Sequence, residues 1–175
     1  MKKFTIVIVI LFIFFIALGD LSAGGIGIKG GYSKMMDDYS DADYDNTWCL
    51  GLFFDAGTFL FDSLRFRPGF DYLKLENDNG TYADVWGIHL DWYWFFLKKG
   101  SISPFLGFGP ALNYYNFDDD STEGDSDAGI EGFGGLDFNL SGPITLCFEL
   151  RLVFHDIADR DDTILKGNVG FLYSF

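Results

Sequence analysis

His89 and His155 are the only histidines in the chain, and imidazole is the side chain most often used as a general base near neutral pH. A base of that kind needs a nucleophile to activate. No serine lies two residues from either histidine on the same strand face, and Asp156, next to His155, falls where a strand would run out into a loop. The two histidines are therefore expected to be satisfied structural residues and not halves of a catalytic pair. Residues 25–30, GIGIKG, match the glycine fingerprint of dinucleotide sites. That motif needs a strand before it and a helix after it, and here a single strand pattern contains it. Residues 41–46, DADYDN, begin like a calcium loop, but Asn46 stands where the loop needs glycine and Leu52 where it needs a bidentate glutamate. A solvated acidic loop with weak, nonspecific affinity for divalent cations is the expectation. Nothing in the residues calls for a resident cofactor or metal.

Cys49 and Cys147 could form one disulfide in an oxidising compartment. Their strands are not neighbours and they sit near opposite ends of the pattern, whereas bridged Cα atoms lie within about 7 Å. Two small buried thiols are expected instead. The remaining chemistry is ionic. Lys29, Arg65, Arg67, Asp71, Asp91, Glu131, Asp137, Glu149, Arg151 and Lys166 interrupt otherwise apolar stretches, one residue at a time.

Their spacing follows from the elements that carry them. After residue 24 the chain repeats a period of two, the signature of a strand with two unlike faces. Trp48, Leu50, Leu52 and Phe54 alternate with Cys49, Gly51 and Asp55; Leu64, Phe66, Pro68, Phe70 and Tyr72 alternate with Arg65, Arg67 and Asp71. In residues 82–96 the apolar set is Tyr82, Trp86, Ile88, Leu90, Trp92, Trp94 and Phe96, with Asp84, Gly87, His89 and Asp91 assigned to the other face. Residues 25–33, 102–115, 128–140, 144–155 and 165–175 repeat the pattern. That makes about eight strands, with no helical periodicity among them. The links near 35–47, 118–127 and 156–163 are acidic and long, while 97–101 and 141–143 are short. Long links at one end and tight ones at the other fit an antiparallel up-and-down barrel. Asn79-Gly80 marks a hairpin, and Phe59 and Phe61 fall out of parity with Leu64 and Phe66, which calls for a bulge or a longer turn.

The amino terminus has a different character. MKK, an apolar run from Phe4 to Leu18, and then GDLSAGG read as a secretory signal peptide over residues 1–23, cleaved after Gly19 or Ala23. The run falls short of the ~20 residues that a spanning helix needs, and no cysteine follows it for lipid attachment. The domain proper is then 24–175. Its net charge is strongly negative, from −14 for the whole chain, which excludes nucleic acid as a partner because no basic stripe exists to neutralise phosphates.

Which face points inward decides the class. An eight-stranded barrel has room inside for side chains and little more, too little for the bulky apolar set found on every strand. The charged set shares its face with Gly27, Gly51, Gly69, Gly87, Gly107, Gly109, Gly135 and Gly170, small enough for a crowded lumen. Tyr82 and Trp86 lie near one end of their strand and Trp92 and Trp94 near the other, as aromatic girdles at two membrane interfaces would. The apolar face is therefore expected to meet lipid. A narrow lumen must pair its charges. With the hairpin centred near Asn79-Gly80, opposed residue numbers should sum to 156–158, setting Arg67 or Arg65 against Asp91 with His89 and Gly69 nearby. Glu149 and Arg151 should pair on their own strand, with Glu131 and Lys166 further along.

With these features the chain resembles the small outer-membrane β-barrel proteins of the OmpA/OmpX type. The resemblance implies an all-β, eight-stranded antiparallel transmembrane barrel in the bacterial outer membrane, a monomer in contact with lipid and lipopolysaccharide. The carboxyl terminus resembles that family's assembly signal in Asn168, Gly170, Tyr173 and Phe175, which implies recognition by the outer-membrane assembly machinery. Larger members carry a peptidoglycan-binding domain after the barrel, and this sequence ends at the barrel. A noncatalytic structural or surface-interaction role follows; the alternative is a lipid A-modifying enzyme, a deacylase or acyltransferase, since some barrels of this size are such enzymes.

Overall fold

The strand periodicity is realised as one closed antiparallel sheet. The structure, a computed structural model, describes residues 24–36, 47–76, 82–97, 100–117, 125–155 and 163–175. The expected signal peptide, the DADYDN segment, Asn79-Gly80 and most of the long acidic links lie outside the described residues.

The strands are β1 (Gly25–Met35), β2 (Thr47–Asp55), a two-residue β3 (Thr58–Phe59), β4 (Phe61–Glu76), β5 (Tyr82–Phe95), β6 (Ile102–Phe117), β7 (Asp125–Asn139), β8 (Ile144–His155) and β9 (Thr163–Ser174). Each long strand pairs with its neighbours in sequence, β1 pairs with β9, and β2 pairs with β4, so eight strands close into a barrel with β3 as a short flap on β4. Closure leaves no unpaired edge among the long strands, as a lipid environment requires. The β1–β9 ladder runs from Gly25 opposite Ser174 to Met35 opposite Ile164, and the Phe175 amide donates to the Gly24 carbonyl at 3.0 Å. The last residue of the chain is thereby held in the sheet.

The β2–β4 seam is shorter, from Cys49 opposite Leu73 to Phe53 opposite Gly69. It stops at Pro68, which has no amide to donate. Pairing resumes beyond it, where the Ala56 amide donates to the Phe66 carbonyl and the Phe66 amide to the Gly57 carbonyl, at 2.9 and 3.1 Å. The irregularity predicted around 57–63 is here: the β3–β4 register slips between Thr58 and Phe59.

The apolar face points outward. Trp48 is 75% exposed, Phe108 65% and Leu106 57%, with Ile28, Leu50, Ile130, Leu150 and Phe171 similarly bare. On this face Tyr32 packs on Trp48, and Tyr72 on Trp86, toward the long-link end, with ring centroids 5.6 and 4.5 Å apart. Toward the short-turn end Trp92 lies between Phe66 and Phe108, and Trp94 stacks on Phe96. The side chain of Tyr82 falls outside the described residues. One assignment is corrected: Asp84 lies on the outer face, where its carboxylate accepts a 2.6 Å hydrogen bond from the Tyr72 hydroxyl. It shares even parity with Trp86 and Ile88, so the period-two count itself places it outside.

Inside, the glycines make room. A Cβ on Gly109 would stand 2.6 Å from the Asp91 carboxylate, and one on Gly51 would strike the Asp71 carboxylate and crowd Lys29. Not all of the lumen is polar. Cys49, Leu73, Leu75 and Val85 pack with Tyr115 toward the long-link end, and Ala111, Val153 and Ile164 pack beside them in the sheet order. Tyr93, Phe95, Phe105 and Phe133 form an aromatic layer toward the short-turn end. The lumen is thus filled by more than polar side chains: apolar layers lie on either side of His89 and Asp91, while Arg65 and Asp137 line the short-turn mouth.

Candidate functional site

The charged side chains of the inner face converge on two centres. The first is Arg151 on β8. Its Nε donates to Glu149 at 2.9 Å, one terminal nitrogen to Glu131, and the other to Asp91 at 2.7 Å and to the Tyr93 hydroxyl at 3.2 Å. Its guanidinium also lies over the Phe133 ring, 4.3 Å from the centroid. Three carboxylates from β5, β7 and β8 thus share one planar cation, whose five N–H donors suit such a fork. Tyr93 in turn donates to Glu149 at 2.6 Å.

His89 extends this centre. Nδ1 faces Glu131 and Nε2 faces Asp71, both at 3.0 Å, with the imidazole fully buried. Asp71 is flanked as well by Lys29 and Lys166, each at 3.3 Å. Asn168 donates to Glu149 at 3.3 Å and accepts from the Cys49 thiol at 3.2 Å.

The second centre is Arg67 on β4. It bridges Asp55 on β2 and Asp137 on β7, both at 2.8 Å, beneath the rings of Tyr93 and Phe95. Arg65 approaches the same Asp55 at 3.2 Å, and Asp55 also accepts the Gly57 amide at 2.9 Å. A cavity of about 20 Å³ lies between the centres, lined among others by Lys29, Glu149 and Asn168, room for about one water. A larger hollow of about 320 Å³ opens at the short-turn mouth, among Thr58, Arg65, Ser103, Asp137, Asn139 and Thr145.

Arg67 and Asp91 are directly opposed across β4 and β5, and Gly69 faces His89, the register that the hairpin predicts. The salt bridges run otherwise. Arg67 reaches across the lumen to Asp137, Arg65 turns to Asp55, and Asp91 is taken by Arg151. Sequence spacing sets which residues share a ladder, whereas a barrel's shear sets which ones meet across the lumen. Glu149 and Arg151 do contact one another, and Glu131 and Lys166 belong to the same network through Arg151 and Asp71. Sequence reasoning passed over Asp55, Tyr93 and Asn168 as network members; the inward parity of Asp55 and Tyr93 was the available signal. Gly170, like Asn168, lies on the inner face, while Tyr173 and Phe175 are exposed on the outer one.

His155 ends β8 opposite Gly129, and the expectation for its side chain falls outside the described residues. Cys49 and Cys147 are free and buried, on β2 and β8, with β1 and β9 between them. Among the described residues no group of three or more His, Cys, Asp or Glu is arranged to hold a metal ion.

No protein-family model matches the chain, and no curated protein matches it in sequence. Solved structures do match in shape. Neisserial surface protein A superposes with a TM-score of 0.70 at 15% identity, over 87% of this chain and 99% of that one. Ail, the attachment invasion locus protein of Yersinia pestis, solved with the heparin analogue sucrose octasulfate, gives 0.63 at 16% identity, over 87% and 98%. The outer-membrane enzyme PagL gives 0.54 at 15% identity, over 85% and 98%. Closed by β1–β9 and β2–β4, apolar outside and ion-paired within, the chain has the fold of the eight-stranded outer-membrane β-barrels.

Proposed function

We propose that this protein is a noncatalytic barrel of the bacterial outer membrane, with the strands as anchor and the acidic links presented at the cell surface. The observation that carries the reading is the reversal of faces: large apolar side chains bare on the outside of every long strand, and ion pairs enclosed within. Such an exterior is stable against acyl chains and a liability in water. The ionic and apolar layers fill the lumen between its mouths, which argues against a general pore. Its immediate partners would be outer-membrane lipid and lipopolysaccharide. Asn168, Gly170, Tyr173 and Phe175 would serve the assembly machinery as an address, read on a strand that β1 and β8 hold on both sides. The links of this chain carry Asp37, Asp38, Asp41, Asp43 and Asp45, then Asp118, Asp119 and Asp120. Such a surface would repel a sulfated sugar of the kind bound to Ail, so a cationic partner or bridging divalent cations suit it better.

Protease added to intact cells is expected to cut within 35–47, 118–127 or 156–163 and to spare 97–101 and 141–143. Cutting that begins only after the outer membrane is opened would reverse the orientation. The second reading is a lipid A-modifying enzyme, and what supports it is that the outer-membrane enzyme PagL shares the fold. His89 gives it little support, being enclosed between Asp71 and Glu131 and out of reach of any lipid. Purified protein incubated with lipopolysaccharide should leave the acyl pattern unchanged; a lost or added acyl chain would establish the enzyme.

A further inference from the structure

The turn between β3 and β4 is built unlike the tight turn between β7 and β8 at the same end of the barrel. Residues 141–143 are Ser-Gly-Pro, and Gly142 takes the positive φ there. Between β3 and β4 the corresponding conformation falls on Leu60, with φ of 62°, a region that a bulky side chain rarely adopts. Glycine would make this turn without strain, so the leucine stands against the backbone's preference. Strain of this kind points to a use for the side chain. The neighbouring residues hold the turn in place: Gly57 is tied to Asp55, and Thr58 pairs with Arg65.

What the turn displays is apolar. Leu60 is 78% exposed and Phe61 67%. Asp62 lines the short-turn mouth, which sends its neighbour Phe61 to the opposite, outer side of the strand. There the turn continues the bare apolar face of the adjacent strand, where Trp94, paired with Leu64 at the end of the ladder, stands exposed and stacked on Phe96. Leu60 and Phe61 thus prolong the lipid-facing band past the last β4–β5 ladder pair, on the sector next to the short β2–β4 seam.

We propose that this turn is a membrane-interface anchor, with Leu60 and Phe61 seated at the boundary of headgroups and acyl chains in the leaflet at the short-turn end. The proposal rests on the reading that the outer face meets lipid, and it adds a foothold beyond the ladder where the barrel wall is least paired. Apolar and aromatic side chains at that depth gain from burial without leaving the polar region entirely.

The test uses nitroxide labels on the full barrel in phosphatidylcholine vesicles, in a Cys49→Ala, Cys147→Ala background. Leu60→Cys and Phe61→Cys are compared with Leu106→Cys on the outer face of β6 and Ser141→Cys in the β7–β8 turn, by collision with oxygen and with a water-soluble nickel chelate. The ratio of oxygen to nickel collisions at 60 and 61 is expected well above that at 141 and toward that at 106. Equality with 141, or protection from both reagents as a protein partner or second copy would give, overturns the anchor. A low ratio at 106 itself would refute the lipid-facing reading, separately from the turn. Because Leu60→Cys could relax the turn, Phe61→Cys decides if the two disagree.

Discussion

Arg151→Met is expected to remove a large part of the barrel's stability. The substitution keeps a long apolar side chain against Phe133 but leaves Asp91, Glu131 and Glu149 facing one another without their shared cation. Removing one partner of a buried ion pair typically costs ~3–5 kcal/mol, against a total that for most proteins is about 5–15 kcal/mol. Urea titration of the refolded protein, followed by the gel shift between folded and heated forms, would register the loss. Adding Asp91→Asn should recover part of it. Asp91 has Arg151 as its salt-bridge partner, whereas Glu131 keeps His89 and Glu149 keeps Lys29, Tyr93 and Asn168. Replacing both members of a buried pair is far milder than orphaning one. A single-variant loss under about 1 kcal/mol, the level of a solvent-exposed pair, would mean that water reaches this centre and that the lumen is open.

The second large effect is expected in the cell and not in the test tube. Phe175→Asp should leave little protein in the outer membrane, while the purified variant refolded in detergent loses only modestly. Phe175 is 72% exposed on the outer face, and burying a phenylalanine fully in apolar surroundings is worth about 2–3 kcal/mol. Its backbone amide bond to Gly24 survives the change. A defect in assembly much larger than the defect in stability would therefore report a motif being read. Wild-type amounts of Phe175→Asp in the outer membrane would remove the address role from the terminal strand.

Much of this architecture was legible from period two alone, because in a barrel every strand has the same two environments. The parity of Trp86, Ile88, Trp92 and Trp94 places them outside, and that of His89 and Asp91 inside. The Asn79-Gly80 centre sets Arg67 opposite Asp91, as found. Three things were less accessible, for distinct physical reasons. Of the partners of Arg67, Asp55 comes from the β2–β4 closing seam and Asp137 from across the lumen, and the stagger that brings them to it depends on closure of the whole sheet. The apolar lumen layers of Leu73, Leu75 and Val85, and of Tyr93, Phe105 and Phe133, carry the inward parity but the hydrophobicity of the outward face, so composition pulls against position. The turn at Leu60 breaks parity altogether, and the sequence signals only that something irregular must lie there.

The central claim is that the bare apolar face lies in a bilayer. The protein's own four tryptophans report on it without mutation, since Trp48, Trp86 and Trp94 are exposed on the outer face and Trp92 lies half-buried between them. The measurement is native fluorescence of the barrel reconstituted in vesicles whose acyl chains carry bromine, compared with unbrominated lipid and with aqueous iodide. Strong quenching by brominated chains, greatest for bromine near the headgroups, and little quenching by iodide are the predicted result. Emission that brominated lipid leaves unchanged and iodide extinguishes would place these tryptophans in water and contradict the account.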